Sequence, residues 1–304
     1  MTPRLCDPRL CAAGCLLVLG IMLTACNTSS GQLMDQAETN WRKGRYEDSI
    51  QVNQALYNLE PRGRYAGRAL LNIGNIYYLN LRKLKPAIEF YEKLTAEFPD
   101  SAEAILAHKQ LAAIYANELV DLDQAIAQYN KLLEAKDLDD RQEILFQRAD
   151  AYLKREEFDH ARRELLGLED AGVSGRLADQ VSLKIGDSYA IQKRFDDAVE
   201  PFQKVLTSAF PECRRRAILS LEETYENLFE FDKAVQTIRM LDKSPENDRY
   251  VQSEVTRLSA KRKGVETGGL VWDHVPVSPA AAAKAAPTKR RPKKKTRIEL
   301  SPAI

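Results

Sequence analysis

Three histidines, His108, His160 and His274, and one cysteine far from the N-terminus, Cys213, are where catalytic or metal chemistry would be sought first. No two of the histidines share a helix face or a metal-ligand spacing, and Cys213 has no histidine beside it in a recognisable motif. There is no Gly-rich phosphate loop, no Gly-x-Ser-x-Gly and no His-Glu-x-x-His. His108 and His160 read as helix-surface residues, and Cys213 as a small buried hydrophobe. The 44 Asp and Glu residues are spread along amphipathic segments, where carboxylates serve as solvated faces or helix-dipole partners. The reading is of a protein without enzymatic activity, metal or cofactor. Specific chemistry is concentrated instead at Cys26 and in the basic run Lys289–Arg297.

Cys26 closes an N-terminal pattern. Arg4 and Arg9 precede an apolar stretch from Leu10 to Ala25, as in a secretory signal peptide. Its 16 residues fall short of the roughly 20 that a spanning helix needs. The sequence Leu23-Thr24-Ala25-Cys26 resembles the bacterial lipobox. That resemblance implies cleavage before Cys26 and attachment of a diacylglycerol thioether and an N-acyl chain such as palmitate, enough acyl chains for stable anchoring. The alternative is an ordinary signal peptide that contains a cysteine. Asn27 stands where Asp would favour retention in the inner membrane, so the resemblance implies the outer membrane, facing the periplasm. Residues 26–32 would form a polar, flexible tether. Of five cysteines, Cys6, Cys11 and Cys15 leave with the signal and Cys26 is lipidated. Cys213 then has no partner for an intramolecular disulfide.

The elements that follow are repetitive. An apolar or aromatic residue precedes Ala or Ser by three positions at Tyr46/Ser49, Leu84/Ala87, Leu122/Ala125, Phe158/Ala161, Phe195/Ala198 and Phe231/Ala234. The intervals between the small residues are 38, 38, 36, 37 and 36, the period of a stacked helical array. Each unit reads as two helices. Around Ala198 the apolar positions 198, 199, 202, 205 and 206 form one amphipathic stripe. Glu47, Asp123, Asp159, Asp196 and Asp232 follow the apolar start, placed to cap free N–H groups and complement the dipole. Pro61, Pro99, Pro211, Pro245 and Gly172 read as terminators. Gly74 and Gly186 lie inside first helices, where glycine costs about 1 kcal/mol relative to Ala. Close approach of a neighbouring helix is the expected compensation.

Asn72-Ile-Gly-Asn-Ile-Tyr-Tyr78 followed by Ala87, Tyr91, Leu94 and Pro99 resembles the tetratricopeptide repeat (TPR). The resemblance implies an all-α, right-handed solenoid of about six helix-turn-helix units over 33–262, its last helix (Arg249 to Lys261) a cap. It departs from the family pattern at Ser49, at Glu222 and in repeat length. The long units with Phe98-Pro99-Asp100 and Phe210-Pro211-Glu212 endings resemble bacterial envelope TPR proteins of the BamD and YbgF kind. Such a protein is expected to be a scaffold or adaptor for other envelope proteins, in β-barrel assembly, secretin, pilus or motility machinery. The TPR resemblance also places a partner-binding groove on the first helices: Arg68, Leu71, Asn75, Tyr78 and Leu79; Lys109, Ala113 and Asn117; Phe146, Asp150 and Lys154; Leu183 and Asp187. This set is unlike a strongly basic carboxylate clamp, since Lys109 and Lys154 stand apart and Asp150 and Asp187 oppose them. The competing reading of Tyr78 and Phe146 is that they fill helix packing.

The net charge of +1 hides an asymmetry. Residues 264–304 carry +5 and the signal +1, which leaves an acidic body at −5. The Pro/Ala/Lys composition from 263 onward predicts a disordered tail, ending in Lys289, Arg290, Arg291, Lys293, Lys294, Lys295 and Arg297. In an exported protein this run meets no nucleic acid, so lipopolysaccharide, phospholipid headgroups, acidic cell-wall groups or an acidic partner are its expected anionic targets. The other reading is a solvated tail that aids solubility. Leu270-Val271-Trp272 is the one apolar cluster in the tail, placed to dock on the last repeat or on a partner.

Overall fold

A computed structural model describes residues 30–136 and 138–267. The signal segment, Cys26 and its neighbours to Ser29, and the tail from Gly268 lie outside the described residues, and with them His274 and the cations from Lys289 to Arg297. Two compact units divide at Lys193/Arg194. The first holds α1 (30–42), α2 (Tyr46–Leu59), α3 (Ala66–Asn75), α4 (Leu84–Glu97), α5 (Ala102–Ala113), α6 (Leu122–Glu134), α7 (Arg141–Lys154), α8 (Phe158–Asp170) and α9 (Gly175–Ile191). The second holds α10 (Phe195–Val205), α11 (Pro211–Asn227), α12 (Phe231–Ile238) and α13 (Pro245–Glu266). The described residues contain helices and turns but no strand.

The six small residues that set the period, Ser49, Ala87, Ala125, Ala161, Ala198 and Ala234, are all 0% exposed. Within each unit every helix packs on the next, and α3 meets α5 as α7 meets α9. The core is therefore a chain of local clusters. Ile50, Ile73 and Ile76 form one, Leu70, Tyr91, Leu94 and Ile114 belong to the next, and Leu165, Leu168, Val181 and Ile185 to another. Each fully buried Leu or Ile contributes about 1.5–3 kcal/mol. Because the contacts are between neighbours, stability builds repeat by repeat.

Departures from the repeat pattern are satisfied locally. Ser49, where Ala is usual, donates its hydroxyl to the Ala37 carbonyl at 2.7 Å. Buried Asn53 donates to the Ser49 carbonyl at 2.9 Å. Glu222, also at a small-residue position, is buried and meets Arg257. Gly74 is compensated as expected: a Cβ there would lie 2.5 Å from the Tyr91 ring. Part of the extra length has a local source. The helices α3 and α5 run on into π turns, Ile76–Asn80 and Ile114–Leu119, and these sit in the two 38-residue intervals.

A left-handed residue stands two positions before each second helix: Gly44, Arg82, Val120, Glu156, Lys193 and Phe229, with φ of +54° to +73°. Only the first is glycine, although this region disfavours most side chains. The left-handed conformation thus belongs to the position in the repeat and not to glycine.

Several expectations need correction. The first-turn acids do not cap: α2, α8, α10 and α12 have no side-chain cap, and in α6 the capping oxygen is that of Asp121, not Asp123. The acids lie one or more residues inside the helix, where they face the dipole or pair with arginines, as Asp123 does with Arg155 at 2.7 Å. Pro211 and Pro245 open α11 and α13, since a helix's first residue needs no N–H. Pro61 and Pro99 do follow helix ends. The cap helix α13 spans Pro245–Glu266, longer at both ends than expected, and α1 already includes residues 30–32, which shortens the tether.

Candidate functional site

The helices α3, α5, α7 and α9, with the π turns that follow α3 and α5, carry the residues assigned to a groove, and charged side chains link α1 to α3, α5 to the start of α7, and α7 to α9. Arg68 on α3 faces Glu38 on α1 at 3.6 Å. Lys109 on α5 reaches Asp140, the residue before α7, at 2.7 Å. Asp150 on α7 accepts from Lys184 on α9 and pairs with Lys154 at 3.1 Å. Burial pushes the Asp150 carboxyl up, but hydrogen bonds and charge from Lys184 and then Lys154 overcome it and hold the group below the usual carboxylate range. Exposed pairs of this kind contribute about 0–1 kcal/mol each. Their larger effect is to hold neighbouring first helices in register.

Lys109 and Lys154 thus each have a carboxylate in reach, Asp140 for the first and the expected Asp150 for the second. Leu71 and Leu183 are not groove residues: they are 6% and 2% exposed and belong to the core. Leu71 packs in the cluster of Leu70, Tyr91 and Leu94. Asn75 is partly buried, and its carbonyl oxygen accepts from the Tyr91 hydroxyl at 2.8 Å. Desolvation by burial, then Tyr78, raises the Tyr91 hydroxyl well above its ordinary value. Tyr78 and Phe146 are half-buried, packed against the clusters around Tyr91 and Leu165. Arg68, Leu79 and Asn117 are exposed, Leu79 at 49%. Ala113 and Asp187 are partly buried.

The open surface of this row is therefore Arg68, Tyr78, Leu79, Lys109, Asn117, Phe146 and Lys154, with Asp150 between its lysines. It mixes apolar area with both signs of charge and offers anchors and polar contacts for a peptide or a helix. One feature was not legible in sequence, a cleft of about 830 Å³ among α4, α5 and α6, lined by Thr95, Ile105, His108, Gln128 and Lys131. Its His108 Nδ1 lies 2.7 Å from Gln128 Oε1. His160 is exposed and stacks on Tyr152, and Cys213 is buried. Among the described residues no helix is long and apolar enough to cross a membrane.

Two family models match, both described as tetratricopeptide repeat, over residues 68–101 and 146–212. A comparison with curated protein sequences finds no match. A tetratricopeptide repeat protein from Parabacteroides merdae is similar in structure at 17% identity, with 78% of this chain and 88% of that one covered and a TM-score of 0.54. PilW, a widely conserved type IV pilus biogenesis factor, matches at 15% identity over 73% of this chain and 98% of that chain, with a TM-score of 0.49. Pseudomonas aeruginosa PilF matches at 11% over 78% and 99%, also at 0.49. At these identities the likeness is one of fold. The chain thus carries tetratricopeptide repeats at residues 68–101 and 146–212, and the paired helices of the described residues accord with them.

Proposed function

We propose that the chain is a lipid-anchored scaffold of the bacterial cell envelope, held in the outer membrane through Cys26 and facing the periplasm. Its first-helix row would hold another envelope protein. The observation that carries the binding role is the row itself, in which side chains of mixed character stand on helices already tied together by Arg68–Glu38, Lys109–Asp140 and Asp150–Lys184. Such preorganisation lowers the ordering cost of binding. The lipobox-like Leu23–Cys26 and Asn27 support the anchor and its destination. The BamD and YbgF resemblance supports service in an envelope assembly, of the β-barrel, secretin, pilus or motility type. Nothing in the row is arranged for bond-making chemistry, and we read the protein as a non-enzyme.

Crosslinking in the native cell, with identification of the captured protein, is the direct test. Recovery of one envelope protein whose capture depends on row residues supports the reading. Capture unaffected by them moves the interaction to the cleft at His108 or to the tail. For the anchor, Cys26→Ala should remove the protein from the membrane fraction, and a variant still pelleting with outer membrane after a high-salt wash would refute it.

A second reading rests on the cations from Lys289 to Arg297: a cell-wall or Tol-Pal-linked protein whose tail binds anionic envelope components. Neutralising that run should then abolish a salt-sensitive association, since charge screening at 0.15 M acts beyond about 8 Å.

A further inference from the structure

The second unit ends in a cleft with an apolar wall of Phe229, Phe231 and Val265, rimmed by Glu230, Asp232, Lys233, Arg262 and Glu266, that no described element covers. Phe229 occupies the left-handed turn position before α12 at φ +61° and is 68% exposed. A bulky aromatic is costly there, and most of its surface stays open. Its ring meets Phe231 edge-on, with centroids 6.2 Å apart. Together with Val265 near the end of α13, 43% exposed, the two rings border a cleft of about 380 Å³. A second cleft of about 420 Å³ shares Phe231 and runs along α12 and α13 to Val235 and Val255.

The way the chain leaves α13 points to the occupant. Arg262 pairs with Asp232 of α12 at 2.6 Å and with Glu266 at 2.8 Å, so the end of α13 is fastened to the rim of this cleft. Thr267 is the last described residue, and Gly268-Gly269-Leu270-Val271-Trp272 follows. Paired glycines allow a reversal closed to other residues. At about 3.3–3.6 Å per residue, Trp272 can reach back over the helix end to the phenylalanines. From Asp273 to Ile304 there is no Phe, Tyr or Trp, so this is the tail's one aromatic.

We propose that the cleft at the α12–α13 end is the seat of the chain's own Leu270–Trp272 segment, with the Trp272 indole against Phe229 and Phe231. Docked there, the segment replaces the next helix that an array of repeats would otherwise supply, and it gives the basic run a fixed point of departure from the solenoid.

The chain has two tryptophans, Trp41 and Trp272, so Trp41→Phe in the full chain leaves Trp272 as the sole fluorophore. Blue-shifted emission and acrylamide quenching several-fold weaker than in a Gly268–Ile304 peptide are expected. Phe229→Ser and Val265→Ser should each raise quenching to the peptide's level with helicity unchanged. Quenching equal to the peptide's in the parent, or indifferent to Phe229→Ser, overturns the proposal. Protection that appears only as protein concentration rises also overturns it, because a second copy is then the occupant. Should Trp41→Phe misfold, 5-fluorotryptophan in the natural sequence gives the same reading, with the Trp272 resonance assigned by its loss in Trp272→Phe.

Discussion

Arg257 reaches from α13 to Glu222 of α11 at 3.2 Å, but it holds Glu226 at 2.6 Å and Glu254 at 2.7 Å more closely. Lys261 also pairs with Glu226, at 2.7 Å. Three carboxylates thus share two cations, and Glu222 is the one served worst. Burial pushes its carboxyl from 4.5 up to about 7; Arg257 pulls it down, while Glu254, Glu226 and Glu223 add to the rise. Tyr250 of α13 is raised as well, by burial and then by Glu254 and Glu222.

A carboxyl whose folded value is raised stabilises the fold fully below its unfolded value and loses that contribution as pH rises through the folded one. The window here runs from 4.5 to about 7. Glu222→Gln should therefore match the parent in thermal midpoint near pH 4.5 and exceed it increasingly towards pH 7.5. Amide exchange along α13 should slow in the same variant at the higher pH. Asp150 and Glu226, held low by their lysine and arginine partners, contribute the opposite slope at more acidic pH. A constant offset between parent and variant across the window would refute the protonated Glu222.

Gly74 makes a second prediction. Replacing an interior helix glycine by alanine ordinarily gains about 1 kcal/mol. Here the new methyl would lie 2.5 Å from a ring that is 0% exposed. Gly74→Ala should instead destabilise by about 1–3 kcal/mol, the usual cost of overpacking. Adding Tyr91→Leu should recover part of it, because the two changes share one contact. Denaturant unfolding of the four chains closes the cycle, and additive effects would show that the contact is not what excludes Ala.

The period, the helix pairs and the Gly74 contact were all legible, because each rests on one small residue with a fixed offset. What escaped the sequence depends on partners far along the chain. Leu71 and Arg68 are three residues apart on α3, yet one is core and the other pairs with Glu38, thirty residues before it. Nothing local to Asp140 shows that Lys109 will find it. The acids after the apolar starts sit within one position of a cap in the sequence, and spacing does not fix the first helical residue that closely.

Val120 gives a third prediction. It is β-branched, 66% exposed and held at φ +55°, a conformation costing such residues about 1–2 kcal/mol. Asn tolerates it. Val120→Asn should stabilise the chain by about 1 kcal/mol, and Val120→Gly by less, since glycine also loses more freedom on folding. Chemical denaturation of both against the parent is the test. A loss of stability with Asn would mean that the Val120 side chain is held by contacts worth more than the strain.

The binding row gives the last prediction, and burial decides how it must be tested. Tyr78 and Phe146 are half-buried against two core clusters, so cutting either to Ala removes packing as well as surface. Buried aromatics cost about 3–5 kcal/mol on such truncation, and a lost partner could then reflect a loosened repeat. Leu79 beside Tyr78, Asn117 in the π turn after α5 and Lys154 at the end of α7 are exposed, and Lys154 pairs with Asp150 at 3.1 Å. Changes at such positions alter stability by about 0.5 kcal/mol or less. Leu79→Ser with Asn117→Ala and Lys154→Ala should therefore leave the melting temperature nearly unchanged while capture of the crosslinked partner falls at least tenfold. Tyr78→Ala and Phe146→Ala should lower both. If the surface triple captures its partner as the parent does, the first-helix row is not the binding face, and the same assay with changes at His108 and Gln128 would then address the cleft among α4, α5 and α6.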